Sequence, residues 1–209
     1  MLRTAAALVA LTLTGCLSPG QVEGIRMQRE INRAVVASDT CLTPIREQPD
    51  YQPVFRRLAV EPSVPPPRPT PAQLADPGYP DRETMRAMVA IHADLVVCRN
   101  PLIEGIARIA PDLAETAVDI WLRGDRLMLA LMRREVTFGE ANRRIGDMQD
   151  EYFRRLGDVT AATRSRLASL RGPAMPAEAA EMPPAVRRFA ADLAEIHQQM
   201  QAAAARPAD

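Results

Sequence analysis

The 209-residue chain contains no lysine; all 26 of its Lys/Arg positions are arginine. That absence removes Schiff-base chemistry, a phosphate-binding P-loop lysine and any Ser-Lys nucleophile pair. Aromatic residues are scarce as well, at 4%, which argues against a cleft that stacks sugars or bases. Histidine occurs only at His92 and His197, far apart in sequence. No Cys/His metal-ligand cluster, no G-x-S-x-G and no glycine-rich phosphate loop is found. Acidic and basic residues balance at 26 each, so the chain lacks the basic field that selects nucleic acid, and no nucleic-acid partner is expected.

What is present begins with an apolar run from Ala5 to Leu13, preceded by Arg3 and closed by Leu13-Thr14-Gly15-Cys16. The run is too short to cross about 30 Å of hydrocarbon as a helix, and it reads as a processing signal. Residues 1–16 resemble the lipobox signal of bacterial lipoproteins. The resemblance implies that residues 1–15 are a signal peptide cut before Cys16, and that the Cys16 sulfur receives a diacylglycerol and its new amine a further acyl chain such as palmitate. Because a single chain binds a membrane only marginally, multiple acylation is what makes such a tether last. The resemblance implies a cell-envelope protein anchored in membrane lipid and facing the periplasm. Leu17 stands where many Gram-negative lipoproteins retained in the inner membrane carry an acidic residue, which favours the outer membrane.

Two further cysteines remain, Cys41 and Cys98. In an oxidising periplasm an even pair suggests a disulfide, and closing so long a loop would stabilise by roughly 4 kcal/mol on the chain-entropy model. The alternative is two separate buried thiols.

Residues 16–209 suit one helical domain. A first helix is expected from about Gln21 to Leu42, with Met27, Ile31, Ala34, Ser38 and Cys41 on its apolar face. It starts so soon after Cys16 that the body should lie close to the membrane. From 43 to 80 eleven of the nineteen prolines gather, including Pro65-Pro66-Pro67-Arg68-Pro69-Thr70-Pro71, which predicts an irregular excursion with polyproline character. Tyr51, Val54, Phe55 and Leu58 could pin its first half to the body; it reads as a connector or as a proline-rich ligand for a partner domain. Asp81 can cap a second helix through about Cys98, with Met88, Ile91, Leu95, Cys98 and Leu102 as its stripe. Asn100-Pro101 is expected to restart the chain as N-cap and first helical residue, and Ala110-Pro111 to break it again.

The next helix, about Pro111 to Arg134, carries Leu113, Ala117, Ile120, Gly124, Leu127 and Leu131, widened by Trp121 and Met128. Thr137-Phe138-Gly139-Glu140 reads as a capping box, with Val136 and Ala141 at the staple positions, so a short turn joins two antiparallel helices. The second arm runs to Leu170, with a stripe of Met148, Tyr152, Leu156, Val159, Thr163, Leu167 and Leu170 in an eleven-residue repeat. Glu140 with Arg144, Asp150 with Arg154 and Glu151 with Arg155 are expected to pair along its solvated face. Residues 173–184 read as a linker and 185–205 as a terminal helix bearing Val186, Phe189, Leu193, Ile196 and Met200, which either docks at home or offers its face to a partner. The fold class is therefore all-α: an antiparallel helical hairpin or bundle, with coiled-coil-like packing, a long C-terminal hairpin arm and an internal Pro-rich irregular segment.

Candidate chemistry is thin. Met85, Met88 and His92 share a helical face and would suit Cu(I) through soft thioethers and an imidazole, but core filling by flexible methionines is the favoured reading. The Thr137–Glu140 turn is similar to the turn of periplasmic stress and metal-sensing hairpins of the Spy and CnrX type, over about a dozen residues. An acidic cluster of Asp147, Asp150 and Glu151 is neutralised by arginines at helical spacing, and a hydrolase glutamate such as Glu104 or Glu115 lacks both aromatics and a paired acid environment. No cofactor and no catalytic residue are expected. The expected function is a non-catalytic, lipid-anchored binding or scaffolding role towards an envelope protein; the alternative is metal (copper) or envelope-stress sensing.

Overall fold

Ser18 opens the folded part: its hydroxyl accepts from the Gln21 amide at 3.3 Å while the Gln21 side chain accepts from the Ser18 amide at 2.8 Å. This reciprocal cap, with Pro19 as first helical residue, starts the first helix two residues earlier than its apolar stripe predicts. The computed structural model describes residues 18–62, 66–170 and 182–206. The segment expected to be a lipobox, including Cys16, and most of the expected 173–184 linker lie outside the described residues. The elements are α1 (Pro19–Glu47), a 3-10 turn (Pro49–Tyr51), α2 (Gln52–Arg57), α3 (Pro71–Leu74), α4 (Arg82–Ala107), α5 (Pro111–Met132), α6 (Phe138–Ser169) and α7 (Pro184–Ala205). Among the described residues there is no strand, and the all-α class holds.

Neighbouring long helices alternate in direction. Cys41 and Cys98 are joined in a disulfide with their Cα atoms 5.7 Å apart, and further along Gly105 lies beside Ala34, so α1 and α4 are antiparallel. Arg99 on α4 reaches Asp125 on α5, and Arg123 on α5 reaches Glu151 on α6, which gives the same alternation at each turn. α7 then lies on the α4/α5 face, parallel to α5, with Trp121 against Phe189 and Arg133 bonded to Gln199. The predicted stripe of α7, from Val186 through Phe189, Leu193 and Ile196 to Met200, is buried throughout. Each of those side chains is worth about 1.5–3 kcal/mol on transfer from water. The terminal helix therefore docks at home.

α1 is about 43 Å long and α6 about 48 Å, and both outrun their partners. α4 ends at Ala107, two residues beyond the contact with Ala34, while α1 continues back to Pro19 and comes against the last turns of α6. A Cβ at Gly20 would lie 2.0 Å from the Leu167 carbonyl oxygen. Only glycine lets the two backbones cross so closely.

Several expectations are corrected. α4 does not stop near Cys98 and restart at Pro101; it runs through Pro101 to Ala107. Pro101 is exposed and so is Val97, whose carbonyl loses its amide partner but can turn to water, so the helix tolerates the proline. α1 likewise passes through Pro44 and ends at Glu47, and α5 ends at Met132 rather than Arg134. Thr137 does cap α6, but only one way: its hydroxyl accepts from the Glu140 amide at 3.2 Å, while the Glu140 carboxylate pairs with Arg144 instead of turning back. The predicted stripe of α6 is only half-buried, because its deepest face is Ala141, Asn142, Ile145 and Gln149. Of the predicted pairs along α6, Asp150 goes to Arg68 at 2.5 Å rather than to Arg154. Glu151 lies closer to Arg123, at 2.8 Å, than to Arg155, at 3.5 Å. For Asp150 and Glu151 the shorter tie is to another element, whereas Glu140 keeps its partner Arg144 along the helix.

The described parts of the Pro-rich excursion are packed on the helical body. Tyr51, Val54, Phe55 and Leu58 are buried as expected. Beyond them the chain is stitched to α6 by Asn142, whose Oδ1 accepts from the Ala59 amide at 2.9 Å. Its Nδ2 donates to the carbonyls of Arg57 (2.7 Å), Phe138 (2.9 Å) and Gln73 (3.1 Å). Gln149 donates to the Pro67 carbonyl at 2.9 Å, and Arg57 both pairs with Asp76 at 2.8 Å and covers the Phe138 ring. Proline-rich backbone has carbonyls but few amides, so the side-chain donors of α6 supply what a sheet partner would otherwise provide.

Candidate functional site

A cluster of ionisable side chains, two of them buried, lies where α4, α5 and α7 converge. Asp125 sits mid-α5 on the inward series Val118, Leu122, Asp125, Leu129 and Met132, and is 4% exposed. A carboxylate there needs a cation. Arg99, one residue past the disulfide cysteine of α4, places one terminal nitrogen 2.9 and 2.8 Å from the two carboxylate oxygens, with its guanidinium 5.2 Å from the centre of the Trp121 ring. Burial pushes the Asp125 carboxyl up, but the Arg99 charge, helped by His92, outweighs it and holds the group below the ordinary carboxylate range.

His92 stands on the other side of Asp125. Its Nε2 is 3.7 Å from Asp125 Oδ2, too long for a hydrogen bond, and has no other partner among the described residues. Its Nδ1 is 3.2 Å from Nδ1 of His197 on α7. The ring centres are 5.4 Å apart and the planes differ by 16°. Centre-to-centre distance thus exceeds nitrogen-to-nitrogen distance by almost a full ring width, so the two nitrogens point at each other edge to edge. That is the geometry of one shared proton. A bound metal would instead need the two lone pairs to converge at an angle on a third point.

The proton positions follow from the far end. Gln201 Nε2 lies 3.0 Å from His197 Nε2; an amide nitrogen donates, so His197 Nε2 accepts and its proton is on Nδ1. His92 Nδ1 then accepts, which puts the His92 proton on Nε2, facing Asp125. The chain Gln201, His197, His92, Asp125, Arg99 is consistently polarised in this arrangement, and the buried carboxylate is matched by one guanidinium. Burial, and next the neighbouring His92, hold the His197 imidazole below its ordinary value.

The predicted site residues fall elsewhere or in other roles. Cys41 and Cys98 form the disulfide, beside which the Tyr51 hydroxyl donates to Asp94 at 2.6 Å; burial and then Asp94 push that phenol up to about 12. Met85 and Met88 are buried on the core side of α4 with His92, but both nitrogens of His92 are directed at His197 and Asp125. No group of three or more His, Cys, Asp or Glu suited to a metal is found among the described residues. Glu104, Glu115, Asp147 and Asp150 are exposed. Neither the cleft between α5 and α7, lined by Arg126, Arg133, Asp192 and Glu195, nor the hollow over the disulfide is lined by His92, Asp125 or His197.

Sequence reasoning missed Asp125, Arg99 and the meeting of the two histidines. One signal was available: an aspartate on an otherwise apolar series of α5. The cluster can hold a proton and clasp α7 to α4 and α5. Comparison with protein-family models, with curated proteins and with solved structures finds no match to this chain.

Proposed function

We propose that the chain is a lipid-anchored protein of the bacterial cell envelope, facing the periplasm from the outer membrane, with a non-catalytic binding or scaffolding role. The observation that carries this reading is the order of parts: Leu13-Thr14-Gly15-Cys16 is followed within two residues by the Ser18 cap of α1. An acylated Cys16 would therefore connect almost directly to a helix about 43 Å long that is bonded to α4 by a disulfide. Such a tether confines the body to the membrane surface and raises its effective concentration towards an envelope partner.

Radiolabelled palmitate should be incorporated into the wild-type chain and not into Cys16→Ser, and the wild type should sediment with membranes. A wild-type chain that takes up no label and fractionates as a soluble protein would overturn the reading. Crosslinking in cells followed by pull-down then identifies the partner.

A further inference from the structure

The outward face of α1 carries an apolar and cationic series unlike the rest of that helix. Val22, Ile25, Arg29, Arg33 and Val36 recur at steps of three, four, four and three, opposite the inward series Gly20, Gly24, Met27, Ile31 and Ala34. Val22 is 53%, Ile25 41% and Val36 65% exposed. Three of the six large hydrophobic side chains most exposed among the described residues thus lie on one face of one helix, over about 21 Å. Arg29 and Arg33 are exposed and enter no ion pair among the described residues. The nearby acids, Glu23 and Glu30, lie on the flank and are engaged by Arg26 at 2.6 and 3.4 Å.

We infer that this face of α1 docks on an anionic lipid surface. The inference rests on the acylation of Cys16 proposed above, which would put the membrane six residues before Val22. Valine and isoleucine beside arginines free of ion pairs are what an interface of acyl chain and phosphate selects: the apolar tips enter the headgroup boundary and the guanidiniums meet phosphate. Each arginine near such a surface strengthens association about fivefold. A protein groove would match the apolar residues equally well, but the two uncompensated arginines and the continuity with the anchor favour lipid. Docked this way, the molecule lies on its side, with α1 against the membrane and α4 and α6 behind it.

The full-length chain, reconstituted through its own anchor, tests this with a phospholipid bearing a photoactivatable headgroup, in vesicles of phosphatidylglycerol and phosphatidylethanolamine or of phosphatidylcholine alone. Mass spectrometry should place the label on Val22, Ile25 and Val36 in the anionic vesicles, with loss of that labelling in phosphatidylcholine. Arg29→Gln with Arg33→Gln, and separately Val22→Asp with Ile25→Asp, should reduce it to the neutral-vesicle level while circular dichroism stays unchanged. Anchored chain with this face unlabelled, or labelled equally in both vesicles, overturns the docking. Chain without an acyl group that still binds and labels only on anionic vesicles supports the docking and refutes the anchor. Chain that leaves both vesicles overturns both.

Discussion

The Nδ1 atoms of His92 and His197 face each other at 3.2 Å, and the contact has room for one proton between them. A second proton would set two N–H groups head to head between α4 and α7. His197 is held below its ordinary value by burial and then by His92. Between the unfolded value near 6.5 and the lower folded one, the unfolded chain therefore binds more protons. Stability is complete above that window, falls as pH drops through it and levels off below the folded value. The groups facing the imidazole are His92 and, behind it, Asp125 and Arg99, with Gln201 on its own helix. Urea midpoints between about pH 7.5 and pH 5 should fall for the wild type and fall less for His197→Gln; equal slopes would remove His197 as the cause.

Asp125→Ala leaves Arg99 facing apolar side chains without its counter-charge. Loss of one partner of a buried pair should destabilise by about 3 kcal/mol, whereas Asp125→Leu combined with Arg99→Met should recover most of it, because both desolvation costs vanish together. Chemical denaturation of the wild type and the two variants in one buffer decides. Since the Asp125 carboxyl is depressed from 3.8, its contribution is full above that value and is lost as pH falls through the depressed one, a more acidic step than that of His197.

Asn142→Ala strands the Ala59 amide and the carbonyls of Arg57 and Gln73. A loss of about 3 kcal/mol is expected, together with faster tryptic cleavage after Arg56, Arg57 or Arg68. Asn142→Asp keeps an acceptor for Ala59 but turns donor contacts with three carbonyls into repulsion, and should do no better than alanine. Unchanged cleavage in both would mean that the excursion is held by its apolar residues alone.

Arg134 is the one non-glycine residue with positive φ among the described residues, at 60°. It lies in the turn between α5 and α6, where the Glu135 amide reaches back to the Ala130 carbonyl at 2.9 Å, a helix ending that favours glycine. Arg134→Gly should stabilise by up to about 1 kcal/mol and raise the melting temperature; a lowered one would show that the arginine side chain contributes more than the backbone strain costs.

The hairpin at Thr137, the cap at Asp81 and the buried stripe of α7 were legible because each depends on local spacing or a single side-chain bond. Met27, Ile31, Ala34, Ser38 and Cys41 do form the inner face of α1. Proline misled twice: Pro44 and Pro101 look like breaks, yet each sits in a helix whose remaining turns are secured by packing against a partner. The Pro-rich excursion could not be resolved from its own composition, since its order comes from Asn142 and Gln149, about 80 residues away along the chain. The histidine pair was illegible for the same reason. Its two halves are 105 residues apart, and only the return of α7 alongside α5 brings them together.

The bond between Cys41 and Cys98 spans 57 residues that include the whole Pro-rich excursion. A protease that nicks the chain anywhere inside that loop cuts one of two covalent routes between α1 and the rest of the molecule. The fragments stay joined, and whatever α1 is attached to keeps its hold on the body. For a cut inside that loop, covalent separation also needs reduction of the bridge, whereas the stretch of α1 before Cys41 has no such second route.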